Sequence, residues 1–528
     1  MKIDSLFDRY RVLFYCVLGG LFVFTTRVAD PIPDTLALYH EGEYVGYLWH
    51  MRAYYRGLAE FPLFIHGAMD YLPSIIASFI YGDLHVLGGT RVINALIVWL
   101  SWIMLFDVCD ACARKTGLRV FWAFVVGVIF VSVSPSVLSF PMQTSEAFVG
   151  TRDLWIMATI WCFTRIIFST TEKYNYLLTV LGSVSAAIAF FWSYDRGIMA
   201  FAFLGCMTLW WLSERKHALA AITVLCSYGG VLVIGYLNFA GPVADNIQNI
   251  LHWARHSKEI WGVSYVGPCY SNITALSAVV FCGLIVVTAW LGRSYVARNR
   301  REVFYLLGLF CIQALLMKSS LNRPGGHRVV AALWPSIIVM IYLGGRFLPA
   351  TLFSVKVDAE AYKDLVNNLP SKLAYALSAA VFSLTVLMVL GVLNLKQFMA
   401  YGSFAKSLVH PKENAALVSE DMNKVGALLR EDDAGFFSWS NDGILALLAK
   451  KRFCTRYSHT IYAARSNEED LLQGLKKEDP KMIVFDPTAW GMTIDGRTTA
   501  NRLPEVNEYI NAAYPRKEQV GRYIILRK

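Results

Sequence analysis

The sequence is poor in charged residues and contains neither internal repeats nor low-complexity tracts. Charged residues make up 17% of the 528 residues, whereas hydrophobic residues make up 56%. Soluble domains usually carry about 25% charged residues. The shortage of charge, together with several long apolar runs, excludes a soluble globular protein and predicts an α-helical polytopic membrane protein.

Signals for export and for metal binding by cysteines are also missing. The first apolar run follows a basic N-terminus but lacks a small-residue cleavage site, so we expect a retained membrane anchor. The ten cysteines lie mostly inside apolar runs, and Cys109 and Cys112 have no second pair to complete a metal site. The net charge of +10 comes mainly from Lys and Arg in short loops, as in membrane proteins, so nucleic acid is not an expected partner.

About eleven apolar stretches are predicted to cross the bilayer. They lie near residues 11–28, 91–109, 118–135, 149–168, 175–192, 197–213, 217–238, 272–291, 302–318, 327–346 and 373–394. The segment 71–82 is apolar but short and contains Pro73, so we expect it to lie in the interface or to re-enter the membrane.

The distribution of Lys and Arg between the loops orients these spans. One set of alternate loops is rich in basic residues, whereas no Lys or Arg occurs between Arg119 and Arg152 in the opposite set. Placing the basic loops in the cytoplasm puts the N-terminus inside and the C-terminus outside.

We expect two domains. Residues 1–395 form a transmembrane domain with a long first external loop at 29–90, and residues 396–528 form a small soluble external α/β domain. Within that domain the sequence predicts strands at 436–439, 482–485 and 523–526, and helices at 441–450 and 503–513.

The first external loop carries the acids that are best placed for proton transfer. Glu41 and Glu43 follow the first span closely, and a carboxylate in a partly dry site can act as a general base toward a hydroxyl. The alternative is a solvated acidic loop. In the same loop, His66 and Asp70 have the spacing of a metal pair or of a carboxylate that orients an imidazole.

Two Asp–Arg doublets and a further acid lie at the outer ends of apolar runs. Glu146 precedes Arg152 and Asp153, and the doublet of Asp195 and Arg196 separates two spans with almost no loop. Charges at membrane depth are costly, which favours a substrate site over local ion pairs that merely close helix ends. Arginine suits phosphate because its planar fork makes bidentate hydrogen bonds.

An external turn contains the richest cluster of cations. It holds Lys318, Arg323, His327 and Arg328. Because Lys and Arg are disfavoured on this side of the membrane, an anionic lipid phosphate is the natural ligand, either as a substrate or as a headgroup contact without catalysis. The segment 250–261 alternates apolar and basic residues and is predicted to be an interfacial amphipathic helix.

Short patterns in a fixed order add a family resemblance. The first loop contains His40-Glu41-Gly42-Glu43, Phe61-Pro62, His66-Gly67 and Asp70-Tyr71-Leu72-Pro73, the next span begins with Gly88-Gly89-Thr90-Arg91, and the C-terminal part contains Asn441-Asp442-Gly443 and the segments 480–486 and 520–526. Together with one span before an acidic external loop, this order resembles the GT-C superfamily of integral membrane glycosyltransferases.

The resemblance implies a reaction and its participants. The donor would be a sugar on a polyprenyl phosphate, and the acceptor a cell-envelope glycan or a lipid-linked saccharide on the external face, in a bacterial inner membrane with a periplasmic C-terminal domain. Glu41 or Glu43 would take the proton of the acceptor hydroxyl in an inverting displacement. Arg152, Arg196 and the cations of the external turn, His327 included, would neutralise the leaving phosphate.

Metal dependence and two other function classes stay open. The chain has no strict Asp-x-Asp pair, so a divalent metal is an alternative, with His66 and Asp70 as its candidate ligands. The supporting acids of the site are Asp70, Glu146, Asp153 and Asp195. A transporter or flippase of lipid-linked saccharides would also need charges at membrane depth, but repeated halves are absent from the sequence. A purely structural scaffold would not explain why several loops place acids and cations on one face.

Overall fold

The structure is a computed structural model of the whole chain. It describes residues 11–17, 19–20, 23–24, 28–114, 149–168, 174–238, 240–261, 299–321, 332, 334–339, 341–342, 395–494 and 496–528. The predicted spans at 118–135, 272–291 and 373–394 lie outside these residues, as does most of the span at 327–346.

The segment predicted to be the first external loop, residues 29–90, folds into short helices. They are α1 (Thr35–Val45), α2 (Tyr47–Tyr54), a 3-10 turn (Ala68–Asp70) and α3 (Leu72–Tyr81). The side chain of Asp34 accepts a hydrogen bond from the backbone N–H of Ala37 and so caps the start of α1. Pro73 does not break this segment, because it lies in the first turn of α3, where its missing N–H costs nothing.

The membrane helices follow the predicted spans closely. They are α4 (Val86–Arg114), α5 (Leu154–Phe168), α6 (Asn175–Trp192), α7 (Tyr194–Ser213) and α8 (His217–Tyr236), and a 3-10 turn (Thr151–Asp153) leads into α5. Four stretches are long and apolar enough to cross a membrane, namely Asp83–Cys112, Asn175–Trp192, Tyr194–Ser213 and His217–Tyr236. Their buried faces form one large core.

The sixth predicted span begins three residues earlier than expected, at Tyr194 instead of residue 197. Ser193 is the single extended residue between α6 and α7, so Asp195 and Arg196 lie in the first turn of α7 and not in a loop. The hydroxyl of Ser193 donates to Asp195 at 2.7 Å. An acidic side chain is stabilised at this position by the positive end of the helix dipole.

Two further helices are α9 (Val243–Trp261) and α10 (Arg300–Leu321). The predicted amphipathic helix is present as α9, and it begins several residues earlier than expected. Helix α10 begins beside the end of α5, where the hydroxyls of Tyr305 and Thr164 lie 2.7 Å apart. It then runs back along α7, with Gly308 against the ring of Phe203.

The C-terminal segment combines helices with small antiparallel sheets. The helices are α11 (Leu395–Val409), α12 (Asn414–Leu417), α13 (Glu420–Arg430), α14 (Gly443–Ala449), α15 (Glu468–Glu478), α16 (Thr499–Arg502) and α17 (Pro504–Ala513). The strands are β1 (Met482–Phe485), β2 (Thr493–Ile494), β3 (Arg497–Thr498), β4 (Arg516–Val520) and β5 (Tyr523–Arg527). One sheet has the order β1-β5-β4, and β2 pairs with β3.

The strand predictions for this segment were partly right. The strands at 482–485 and 523–526 are confirmed as β1 and β5, whereas the strand predicted at 436–439 is wrong. That stretch makes only isolated bridges from Phe436 to Phe453 and from Ser438 to Val484, and the chain then turns at Asn441, whose φ is +64°. Strand β4 was missed because its residues, Arg516–Val520, are mainly polar and exposed.

The first external loop and the C-terminal segment share one hydrophobic core. Buried residues of both, among them Leu48, Phe64, Ile444 and Val484, belong to the same cluster. The closest approach is between α1 and the start of α14, where a Cβ placed on Gly443 would lie 2.6 Å from the carbonyl oxygen of Gly42. Because the neighbouring atoms are backbone, both glycines are needed for this contact.

A pair of buried carboxyl groups lies beside this contact. Asp442 precedes α14 and is 2% exposed, and Asp486, at the end of β1, is fully buried and 3.0 Å from Arg522. Burial and the nearby charge of Asp486 raise the pKa of Asp442 to about 7. The protonated form of Asp442 is therefore favoured in the folded chain.

The glycine contact predicts a packing defect in Gly443→Ala. The added methyl group would overlap the backbone of α1, and overpacking of this kind costs about 1–3 kcal/mol. We expect a clear drop in the unfolding temperature of the protein in nanodiscs. Gly402→Ala is the matched control, because nothing lies within 4 Å of a Cβ at this helical position and its stability should be unchanged or higher. Equal effects of the two substitutions would contradict the assigned contact.

The buried carboxyl pair predicts a pH-dependent stability. Because the pKa of Asp442 is raised in the folded chain above its usual 3.8, ionisation destabilises the fold, and stability is lost as the pH rises from about 4 through 7. Asp442→Asn should therefore raise the unfolding temperature at pH 8 and raise it less at pH 5. The exposed Asp433→Asn should change neither value. A gain for Asp442→Asn that does not depend on pH would contradict this assignment.

Candidate functional site

The two candidate acids of the first loop lie on a helix and point in different directions. Glu41 and Glu43 belong to α1, and residues two apart on an α-helix are separated by about 200° around its axis. Both are buried, with Glu41 0% and Glu43 2% exposed. The two carboxylates therefore lie in different environments.

Glu41 is held by a buried ion pair. Arg91 of α4 donates from Nε to one carboxylate oxygen at 3.0 Å and from Nη2 to the other at 2.6 Å. Its Nη1 donates to the backbone carbonyls of Val28 and Asp30. The pair is fully buried and ties α1 to the first membrane helix of the described bundle, so Glu41 would have to leave Arg91 before it could accept a proton.

Glu43 lies between the first loop and the C-terminal segment. Its Oε2 is 2.9 Å from Nδ1 of His40, and its Oε1 accepts a hydrogen bond from the hydroxyl of Tyr462. The hydroxyl of Tyr39 donates to that of Tyr462 at 3.0 Å. Burial alone would raise the pKa of Glu43, but the hydrogen bond and charge of His40 lower it to about 2. Glu43 is therefore ionised at neutral pH.

His66 and Asp70 form an oriented imidazole–carboxylate pair, as one of the two sequence hypotheses predicted. His66 Nδ1 lies 2.7 Å from one oxygen of Asp70, and the backbone N–H of His66 donates to the other at 2.9 Å. They share a tight loop, not the helix face that their spacing had suggested. Gly67, with φ +128°, allows this loop to lie against the backbone of Phe191 at the end of α6.

The Asp–Arg doublets meet this pair at the same end of the bundle. Nη2 of Arg152 donates to Nε2 of His66, and Nη1 of Arg152 lies 3.7 Å from Asp195. Arg196 donates from Nε to Asp153 at 2.6 Å and from Nη1 to Asp195 at 2.7 Å. The result is a connected chain of polar side chains, in the order Asp70, His66, Arg152, Asp195, Arg196 and Asp153, that joins the first loop to α5 and α7.

The side chains of this network bind one another, and their summed charge is not positive. Three carboxylates (Asp70, Asp153, Asp195) face two guanidinium groups, so the sum is −1 when His66 is neutral. His66 also lies beside α1, with its ring stacked 6.4 Å from that of Tyr44. A phosphate bound here would need cations from elsewhere in the chain.

Arg152 still has hydrogen-bonding capacity. Its side chain is 18% exposed, and its buried Nε has no hydrogen-bond partner. The buried hydroxyl of Thr151, one residue earlier, also lacks a partner. Buried polar groups without partners are uncommon and suggest a ligand or an ordered water at this point.

Lys318 lies at the same end of the bundle. Tyr305 meets Thr164 near the end of α5, and α10 runs back from there. Thirteen residues of helix rise about 20 Å, which places Lys318 level with Thr151 at the start of α5. Lys318 is exposed and makes no ion pair within the described residues. Glu146, Arg323, His327 and Arg328 lie outside the described residues.

A metal site is not built by the side chains that the structure describes. Within this part of the chain, no three His, Cys, Asp or Glu side chains are grouped so that they could hold a metal ion. Both ring nitrogens of His66 are already engaged, by Asp70 and Arg152. The pair of His66 and Asp70 orients side chains here, and its proposed role as a metal pair has no support from the geometry.

Sequence reasoning missed three residues of the site. Arg91 occurs in the pattern of the second span but was not assigned a role, although an arginine inside an apolar run is itself a signal for a buried partner. Tyr462 binds Glu43, and the ring of His459 packs 5.1 Å from that of Tyr462. Both lie more than 400 residues from Glu43, and no local pattern links them to it. Only the fold brings them to α1.

Comparison with known proteins gives structural likenesses only. No family model matches the chain, and no curated protein sequence matches it significantly. ArnT from Cupriavidus metallidurans bound to undecaprenyl phosphate is similar with a TM-score of 0.48 and 12% identity, covering 98% of this chain and 97% of that chain. The oligosaccharyltransferase AglB from Archaeoglobus fulgidus, in complex with an inhibitory peptide and a dolichol-phosphate, is similar with a TM-score of 0.45 and 10% identity, covering 96% and 73%.

Both structures belong to the superfamily that the sequence resembles. With identities of 12% or less and TM-scores below 0.5, the function has to be argued from the described residues of this chain.

The different surroundings of the two acids predict different consequences of neutralising them. Glu41→Gln would leave the Arg91 guanidinium buried without a counter-charge, which costs about 3–5 kcal/mol. We expect Glu41→Gln to lower the unfolding temperature strongly in nanodiscs. Glu43→Gln should lower it much less, because an amide can still hydrogen-bond to Tyr462 and His40. A larger loss for Glu43→Gln would contradict the assignment of Glu41 as the structural acid.

Proposed function

We propose that the chain is an inverting glycosyltransferase. It would move a hexosyl or pentosyl group from a polyprenyl-phosphate-linked donor to a hydroxyl of a cell-envelope glycan or lipid-linked saccharide, at the external face of a bacterial inner membrane. One observation carries the proposal: an ionised buried carboxylate, Glu43, lies at the same end of the bundle as the guanidinium groups of Arg152 and Arg196, with His66 between them. A base for a hydroxyl and cations for a leaving phosphate are the two parts that this reaction requires.

Glu43 is the better candidate for the base. Glu41 is bound in an ion pair with Arg91. Glu43 is hydrogen-bonded to His40 and Tyr462, and a substrate hydroxyl can replace either of these hydrogen bonds. A carboxylate with a pKa of about 2 is a weak base. Replacing the hydrogen bond of His40 or Tyr462 by the acceptor hydroxyl would raise its basicity as the reaction begins.

The leaving phosphate would be met by Arg152 and the external cations. Arg196 is already bound by Asp153 and Asp195 and positions Arg152 through the shared carboxylate of Asp195. Arg152 retains an unpartnered Nε, and Lys318 lies at the same end of the bundle. Because the described charges sum to −1, the turn with Arg323, His327 and Arg328 would supply the missing positive charge.

The stereochemical outcome follows from the number of groups that react. A single base that activates the acceptor, with no second carboxylate proposed as a nucleophile, gives direct displacement at the anomeric carbon. Attack from the face opposite the phosphate inverts that centre. The C-terminal segment lies against α1 and would help to receive the acceptor.

The proposal is tested by transfer of a radiolabelled hexose from a polyprenyl phosphate in nanodiscs, with membrane glycan extract as acceptor. Glu43→Gln should lower kcat at least about 100-fold, in the range expected for loss of a general base. Because the pKa of Glu43 is about 2, its protonation should not reduce activity between pH 8 and pH 4. The exposed Glu420→Gln is the matched control and should retain full activity.

The donor site is tested in the same assay. Arg152→Ala should raise the KM for the lipid-phosphate donor about tenfold, because a charge-assisted hydrogen bond to phosphate contributes roughly 1.5–3 kcal/mol. Arg56→Ala, which removes an exposed cation of the first external loop (29–90), should leave the KM unchanged. Lipid-phosphate binding without any sugar transfer by the wild-type protein would contradict the proposal and favour transport.

A further inference from the structure

His459 is a buried histidine with one nitrogen unused. It lies in the C-terminal segment, is 0% exposed, and its Nε2 has no hydrogen-bond partner. Its ring packs 5.1 Å from the rings of both Tyr39 and Tyr462. The hydroxyl of Tyr39 donates to that of Tyr462, which in turn donates to Glu43. His459 therefore belongs to the wall around Glu43.

A chain of hydrogen bonds fixes which nitrogen of His459 carries the proton. The hydroxyl of Tyr47 donates to the carbonyl of Leu63 at 2.7 Å, and the hydroxyl of Ser458 donates to that of Tyr47 at 2.6 Å. Both hydroxyl protons are thus used. The 2.8 Å contact between Ser458 Oγ and His459 Nδ1 then requires the proton to be on Nδ1.

Nε2 of His459 is therefore a lone-pair acceptor. Burial lowers the pKa of His459 to about 4 although the carboxylate of Glu43 is near, so the ring is neutral at pH 7. A buried acceptor without a partner destabilises the fold, and a bound donor would offset that cost.

The neighbouring polar group is also an acceptor. Glu43 is an ionised carboxylate close enough to His459 to interact with it electrostatically, so the two side chains together offer two acceptors and a negative charge. Such a pair binds a neutral group with O–H donors and repels an anion. Saccharide hydroxyls have this chemistry, whereas phosphate does not.

We infer that His459 and Glu43 form a binding subsite for hydroxyl groups of an uncharged saccharide, the acceptor of the proposed transferase. The inference rests on the proposed function for the role of the saccharide, but not for its binding. The rings of Trp490 and His40 pack beside this cluster. Both side chains are partly exposed, and the ring of Trp490 lies 4.5 Å from that of Tyr39 and 6.1 Å from that of His40.

The test measures binding without any donor lipid. Full-length protein in nanodiscs is titrated with maltotriose, as a neutral saccharide, and with glucose 6-phosphate, as an anionic one, by saturation-transfer NMR. His459→Phe, which keeps the ring but removes Nε2, should lower the maltotriose signal at least about fivefold. His459→Gln should keep part of it, because an amide oxygen can accept a hydrogen bond at this position.

The matched control is His252→Phe. Nε2 of His252 contacts the backbone carbonyl of Tyr462 at 2.9 Å, so this substitution disturbs the same wall without touching the proposed subsite. Its maltotriose signal should equal that of the wild type. The unfolding temperature of His459→Phe is measured alongside to verify that the variant is folded, because the substitution also removes the hydrogen bond from Nδ1 to Ser458.

Three outcomes would overturn the inference: no maltotriose signal with the wild type, an unchanged signal with His459→Phe, or stronger binding of glucose 6-phosphate than of maltotriose at this position. Failure of the proposed function is distinguished from these, because it shows as absent sugar transfer while saccharide binding is retained.

Discussion

The buried ion pair between Glu41 and Arg91 sets the position of everything around the candidate site. It fixes α1 against α4, and Arg91 also binds the backbone that leads into α1. Because a charge cannot stay buried alone, the helix cannot rotate without losing this pair. Its rotation determines that Glu43, two residues later, points away from Arg91 and toward the C-terminal segment.

The charged side chains at the end of the bundle near the first loop form one connected network of hydrogen bonds and ion pairs. Each guanidinium lies between acceptors, so neighbouring helices are joined through Asp70, His66, Arg152, Asp195 and Arg196. Such a network positions Arg152 with little freedom, and preorganised donors are more effective than mobile ones in stabilising a developing charge. The network is close to neutral, which limits the cost of holding it near the membrane.

The C-terminal segment takes part in the site because it is packed into it. It shares a hydrophobic core with the first external loop, and the glycine contact between α1 and α14 brings the two backbones together. This packing places Tyr462 on Glu43 and His459 beside it. One contact of Glu43 thus comes from His40 of its own helix, and the other comes from a segment about 400 residues later.

The sequence alone determined the membrane class, the positions of several spans and the residue types of the site, because apolar length and charge cost are local properties of a chain. It also marked both acids and both Asp–Arg doublets. Only the tertiary structure separated Glu41 from Glu43, since their roles depend on the rotation of α1 and on partners that are distant in sequence. Arg91, Tyr462 and His459 acquire their roles through long-range packing, which no local pattern encodes.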